Sequence, residues 1–133
     1  MMKGFAILSS GMSAQRVRLN TVSSNLANAQ TTRTEDGGPY KRQRPIFEPV
    51  PIAGDAHAAG VRVTDIVKDE TPGMVLHDPD HPDADADGLV HMPNVNVVEE
   101  MVDMMTASRS FEANAQAFQT LREMVQQALS IGR

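Results

Sequence analysis

The chain has 133 residues, a net charge of −5, no cysteine and no tryptophan. Disulfides and thiolate metal sites are excluded, the acidic balance argues against nucleic acid, and no apolar run approaches the ~20 residues that span a bilayer. One tyrosine and four phenylalanines give little aromatic area for a closed core of this length, and nine methionines supply much of the large apolar surface instead.

All eight prolines lie between Pro39 and Pro93. Helix interiors reject proline, so the two proline-free ends are predicted to be long helices and the middle is not. At the first end, Phe5, Leu8, Met12, Gln15, Leu19, Val22, Leu26 and Ala29 follow alternating steps of three and four, a heptad seam with Gln15 its one polar member. Some 26 helical residues reach ~39 Å. Gly4 and Gly11 each cost about 1 kcal/mol of helix stability and admit close approach of another backbone. Phe5 to Leu8 is too short and too soon followed by Ser9, Ser10 and Gly11 to serve as a secretory signal core. The end of this helix carries two asparagines, Asn25 and Asn28, although the amide competes for backbone groups in a helix interior. From spacing alone two readings stand. Asn28 helps to end the helix while Asn25 points to water, or both hydrogen-bond a neighbouring subunit and fix axial register.

The middle, 31–93, holds six of the nine glycines and twelve acids against six bases. Thr31 to Tyr40 reads as a polar loop. Tyr40 to Ile52 is extended but confined by Pro45, Pro49 and Pro51 to an edge or an irregular path. Val61 to Val67 is the best strand, Met74 to Leu76 a short second one, and Asp69 to Gly73 a turn between them. The basic tetrad Lys41-Arg42-Gln43-Arg44 is predicted to form salt bridges with the acidic middle of a neighbouring subunit. Asp83-Ala84-Asp85-Ala86-Asp87-Gly88 matches the first half of a calcium loop, in which alternating carboxylates converge on the cation and glycine makes the turn. The twelfth position is Asn94 and not the bidentate glutamate. His77 and His81 have a zinc-compatible spacing on a helix, but Pro79 and Pro82 exclude one there.

The last end opens on Asn96 as N-cap with Glu99 three residues on, and Glu99, Glu100 and Asp103 favour the positive end of the helix dipole. From there Val97, Met101, Met104, Ser108, Phe111, Ala115, Phe118, Arg122, Val125 and Leu129 continue a heptad, widened by Leu121, Met124 and Ala128. The helix is predicted from Val97 to Ile131, ~52 Å long, with Gly132 at its end. Residues 1–30 carry three bases and no acid, and 94–133 carry five acids and three bases, so the two helices attract. The expected fold is mainly α: two terminal heptad helices in an antiparallel, coiled-coil-like pair, with a small loop-rich β or irregular middle. The helical core comprises 1–30 and 97–131, with 31–93 the middle and 94–133 the C-terminal segment. The expected assembly interface is Phe5, Leu8, Met12, Leu19, Val22, Asn25, Leu26, Asn28, Met101, Met104, Phe111, Phe118, Val125 and Leu129. With no catalytic elbow, no cysteine nucleophile and no phosphate loop, the sequence predicts neither an enzyme nor a cofactor. A calcium-binding interaction module built on Asp83, Asp85 and Asp87 is the alternative function. An acid–base enzyme using His77 has the least support.

Ser23-Ser24-Asn25-Leu26-Ala27-Asn28-Ala29-Gln30-Thr31, at the end of a heptad helix, resembles the signature of bacterial flagellar axial proteins of the rod and hook group. Gly38 to Arg42, His81 to Asp85 followed by Gly88, Met92 to Asn96, Glu99 to Met105 and Ala107 to Asn114 are similar to segments of the proximal-rod members of that group. The resemblance implies a non-enzymatic subunit of the flagellar basal body, exported through the flagellar type III apparatus without a cleaved leader. Such subunits stack helically, with copies of themselves and with other rod subunits, into a hollow rod that crosses the periplasm and transmits torque. The rod base and export gate are the implied neighbours, and direct membrane insertion is not implied. It also favours the register-setting reading of Asn25 and Asn28. Terminal helices whose seams are covered only on assembly are expected to be largely disordered in the free subunit and to fold when docked.

Overall fold

A computed structural model describes residues 1–132, so Arg133, the last residue of the 94–133 segment, lies outside the described residues. The elements run α1 (Met2–Ala27), β1 (Gln43–Ile52), β2 (Asp55–Lys68), β3 (Val75–His77), β4 (Leu89–His91) and α2 (Val97–Ile131). Helix accounts for 46% and strand for 23%, so "mainly α" overstates the helical share. The excess strand is a long hairpin.

Both terminal helices are formed and packed on each other within the single chain, against the expectation of disordered ends, and α1 is the central element. It packs on α2 along one side and on the β1–β2 hairpin along another, while the hairpin strands themselves do not pack on α2. The two helices run antiparallel. Asn25 near the end of α1 meets Glu100 near the start of α2, and Phe5 near the start of α1 stacks edge-on against Phe118 at 4.9 Å. Gly4 and Gly11 make the approach possible: a Cβ at Gly11 would lie 2.9 Å from the Asn114 amide, and one at Gly4 2.9 Å from Leu121 Cδ2.

α1 ends on Asn28. Its Nδ2 donates to the Ser24 carbonyl at 2.9 Å, and its Oδ1 accepts from Thr31 Oγ1 at 3.1 Å. The amide thus ties the last turn, whose Ser24 carbonyl also accepts the Asn28 N–H, to the loop that follows. α2 starts as expected, with Asn96 Oδ1 accepting from the Val98 and Glu99 N–H groups, and closes with the Gly132 N–H on the Ala128 carbonyl.

The hairpin differs from the sequence expectation. β2 begins at Asp55, not Val61, and pairs antiparallel with β1 from Gln43↔Lys68 to Ile52↔Asp55. Gly54, at φ +83°, supplies the left-handed turn residue that so short a connection needs. Pro45, Pro49 and Pro51 are tolerated because both strands of a two-stranded sheet are edges. The Met74–Leu76 segment does not belong to this sheet: β3 pairs with β4, a strand absent from the sequence reading. The hairpin lies along α1, with the Lys3 ammonium on the Gly54 carbonyl at 3.2 Å and Ser10 Oγ accepting the Val61 N–H at 3.1 Å.

Gly73 lets the segment before β3 lie against the backbone of 92–93. A Cβ there would sit 2.2 Å from the Met92 carbonyl oxygen and 2.7 Å from the Pro93 carbonyl carbon, neither of which can rotate away. Gly73→Ala is therefore expected to cost about 1–3 kcal/mol as an overpacking change, read by urea denaturation.

Buried apolar residues are few: Ala14, Val22, Val90 and Ala107. The accessible surface is 9148 Å², against about 6800 Å² for a compact monomer of this mass.

Candidate assembly surfaces and the polar junction behind them

Where α1, α2 and the base of the hairpin meet, the packing is polar. Asn25 is 1% exposed and Glu100 0%. Asn25 Nδ2 donates to the Gln43 carbonyl at 2.8 Å and to Glu100 Oε2 at 3.1 Å. Its Oδ1 accepts from the Gln43 N–H at 2.9 Å and from the Tyr40 hydroxyl at 2.8 Å. Both amide donors and both acceptor lobes are used within the chain. Arg42 Nε pairs with the other Glu100 oxygen, and its Nη2 reaches Asp103 at 3.4 Å. Asp103 in turn holds Arg18 of α1 at 3.3 Å. The hydrogen bond to Glu100, and after it the carboxylate charges of Glu100 and Asp103, raise the Arg42 guanidinium above its already high range, so it stays charged. Asn94 joins the same region from the other side. Its Oδ1 accepts the Arg42 N–H at 2.7 Å, and its Nδ2 donates to the carbonyls of Asp69 and Thr71.

This junction corrects two expectations. Asn25 does not reach toward a neighbour, because all its hydrogen-bonding capacity is spent inside the fold, and Asn28 ends the helix. Two members of the basic tetrad are likewise engaged within the chain, Arg42 with its own α2 and Lys41 with Glu70, while Arg44 lies exposed. Sequence reasoning missed Glu100 as a buried anchor. The signal was an alternative heptad register, Glu100, Met104, Ala107, Phe111, Asn114, Phe118, Leu121 and Val125, which shares four members with the expected seam. Those eight positions are buried or half-buried, whereas Met101 and Arg122 of the expected seam are exposed.

The expected interface residues therefore divide. Phe5 and Phe118 stack on each other, Val22 is buried, and Leu8, Met12, Leu19, Leu26, Met104, Phe111 and Val125 are half-buried. Met101 and Leu129 are open. Met101 belongs to an apolar stripe with Val98, Val102 and Met105, at positions i, i+3, i+4 and i+7, each 53–69% exposed on the side of α2 away from α1. Leu129 lies on the side of α2 that packs α1, yet it is 67% exposed because α2 is longer: Leu121 already faces Gly4, so the turns after it run past the start of α1.

The carboxylates of the acidic loop do not converge. Asp83 pairs with Arg33 at 2.9 Å and accepts from Thr32 Oγ1. Asp85 closes its own turn on the Asp87 and Leu89 N–H groups at 2.9 Å. Those bonds, Leu89 first, hold the Asp85 carboxyl below the usual carboxylate range. Asn94, the twelfth position, is engaged with Arg42. His81 Nδ1 accepts the Asp83 N–H at 3.0 Å, and His77 lies exposed on β3. Among the described residues no three His, Asp or Glu side chains are grouped to hold a metal ion. Nothing supports the calcium module built on Asp83, Asp85 and Asp87.

Two family models match the helical ends on either side of the junction: "Flagella basal body rod protein" over residues 5–33 and "Flagellar basal body rod FlgEFG protein C-terminal" over residues 86–131. An antiparallel pair of terminal helices with an insertion between them is thus of the flagellar rod class. The chain is 44% identical to the flagellar basal-body rod protein FlgC of Borreliella burgdorferi, over 94% of this chain and 93% of the relative. It is 42% identical to FlgC of Escherichia coli O6:H1, over 97% and 96%, and 47% identical to FlgC of Aquifex aeolicus, over 89% and 87%. The chain belongs to the FlgC family of flagellar basal-body rod proteins.

Proposed function

We infer that the chain is a structural subunit of the flagellar basal-body rod, with no catalytic role, and that it assembles helically with its own copies and with other rod subunits. The observation that carries this reading is the surplus of surface: the excess over a compact monomer is about 2300 Å², the size of a substantial protein interface. Much of the apolar part lies on α2. Contacts made through a patch on one copy and a different patch on the next do not stop at a two-fold dimer, and with an axial step between copies they build a filament rather than a ring. In the assembled rod the two helices form a coiled-coil-like pair whose outer faces meet neighbouring subunits. The finer placement follows from the resemblance: a proximal position in the hollow, torque-transmitting shaft across the periplasm, near the rod base and export gate, reached through the type III apparatus without loss of a leader.

The test removes the stripe without touching the junction. Met101→Glu with Met105→Glu, both exposed, should leave the circular dichroism of the purified subunit unchanged. The same variant should abolish swimming and rod assembly when it is the sole copy in a cell. Normal motility of that strain would refute the role of this surface.

A further inference from the structure

We propose that in the rod the outward face of α1 on one copy receives the outer stripe of α2 on a second copy, antiparallel, with Arg16 set against Glu112. This rests on the rod-subunit reading and specifies its contact.

The α1 face is defined by exclusion. Gly4, Gly11 and Asn25 turn toward α2, and Ser10 turns toward the hairpin. What remains open recurs at steps of three and four and, apart from Arg16 and Asn20, is shallow: Ala6, Ser9, Ser13, Arg16, Asn20, Ser23 and Ala27 are all exposed. Its one long charged side chain along that run is Arg16, which has no ion-pair partner among the described residues, on a helix without a single acid. The outward face of α2 is the counterpart in shape and charge. It has large side chains at Val98, Met101, Val102 and Met105, then an exposed Glu112 that also lacks an ion-pair partner among the described residues.

Polarity and charge then fix the register. All copies in a helical rod point the same way, and α1 and α2 are antiparallel within the chain, so α1 of one copy meets α2 of the next antiparallel as well. Within one chain Gly11 lies level with Asn114, which by counting residues puts Arg16 level with Arg109. A neighbour at the same height would oppose two arginines. Displacing it by three residues, ~4.5 Å, brings Glu112 opposite Arg16. The same displacement places Met105 beside Ser23 and Met101 beside Ala27, large side chains over small ones. The two faces point to opposite sides of the helix pair and the contact carries an axial displacement, so it repeats helically without closing.

The chain has no native cysteine, so introduced pairs report without background. Ser23→Cys with Met105→Cys, as the sole copy in motile cells, should give an oxidised ladder of dimers and higher species of this chain. Ser23→Cys with Gln119→Cys, the pair adjacent if the helices met parallel in a two-fold dimer, should give none. Arg16→Glu and Glu112→Arg should each cause loss of swimming, and the combined reversal should restore it. A ladder from the Gln119 pair, a cross-link to a rod protein of different mass, or failure of the double reversal to restore swimming would overturn the register. In those cases a wild-type gene that still complements the deletion leaves the rod-subunit reading standing. A wild-type gene that does not complement would sink both.

Discussion

Arg42→Met is expected to destabilise the subunit by about 3–5 kcal/mol, because breaking one side of a buried ion pair strands the other charge. Glu100 is fully buried, and without Arg42 it keeps only the Asn25 amide as a side-chain partner. Arg42 itself is 25% exposed, so water entering its vacated site relieves part of the loss, and the lower end of that range is expected. Arg42→Lys should recover only part of it. A single ammonium cannot reproduce the planar fork that bonds Glu100 through Nε and reaches Asp103 through Nη2. The double variant Arg42→Met with Glu100→Leu should be more stable than Arg42→Met alone, since it removes the stranded carboxylate and offers an apolar pair in its place. Urea denaturation of the four proteins in a double-mutant cycle measures the coupling. A loss under 1 kcal/mol for Arg42→Met would mean that the carboxylate is solvated and the junction is not the anchor described.

The long helices were readable because their signals are one-dimensional. Confining proline to Pro39–Pro93 marks where helices cannot be, and Asn96 and Gly132 bound α2 at the residues the structure uses. Both glycines of α1 do what close backbone approach requires. The register was harder. Alternating steps of three and four fit two neighbouring stripes on α2. The stripe through Met101 is more apolar than the one through Glu100 and Asn114, so hydrophobicity alone selects a seam that shares Met104, Phe111, Phe118 and Val125 with the inward face but takes Met101 from the outward one. The inward face is polar at Glu100 and Asn114 because the groups they meet, Arg42, Asn25 and Gly11, come from elsewhere in the chain. The hairpin was hidden for a related reason: three prolines in ten residues argue against a strand unless its partner leaves both edges free, and pairing of β1 with β2 is not visible from either strand alone. β3 and β4, at three residues each, are below the length at which alternation carries a signal.

The two asparagines of α1 should behave very differently when replaced. Asn28→Ala removes a helix-end contact, worth about 1 kcal/mol. Asn25→Ala is expected to cost about 2–4 kcal/mol, because the Gln43 N–H, the Gln43 carbonyl, the Tyr40 hydroxyl and Glu100 each lose a partner at a site closed to water. Exchange of the Gln43 amide hydrogen should accelerate in Asn25→Ala and stay slow in Asn28→Ala, since only Asn25 accepts from it. Asn25→Asp separates geometry from charge. It is nearly isosteric, keeps the acceptor for Gln43 and Tyr40, and turns the donor that faced Glu100 into a second carboxylate oxygen beside it. Two carboxylates in contact disfavour their own ionisation, so the introduced carboxyl binds a proton more tightly in the folded than in the unfolded chain. Its penalty is therefore full at neutral pH and shrinks as pH falls through the raised value. Asn25→Asp should be the less stable of the two replacements at pH 7, and the gap to Asn25→Ala should narrow toward pH 5. A gap that stays constant over that range would mean Arg42 and Arg18 already neutralise both carboxylates, and that the amide at position 25 is required for its hydrogen bonds rather than for its lack of charge.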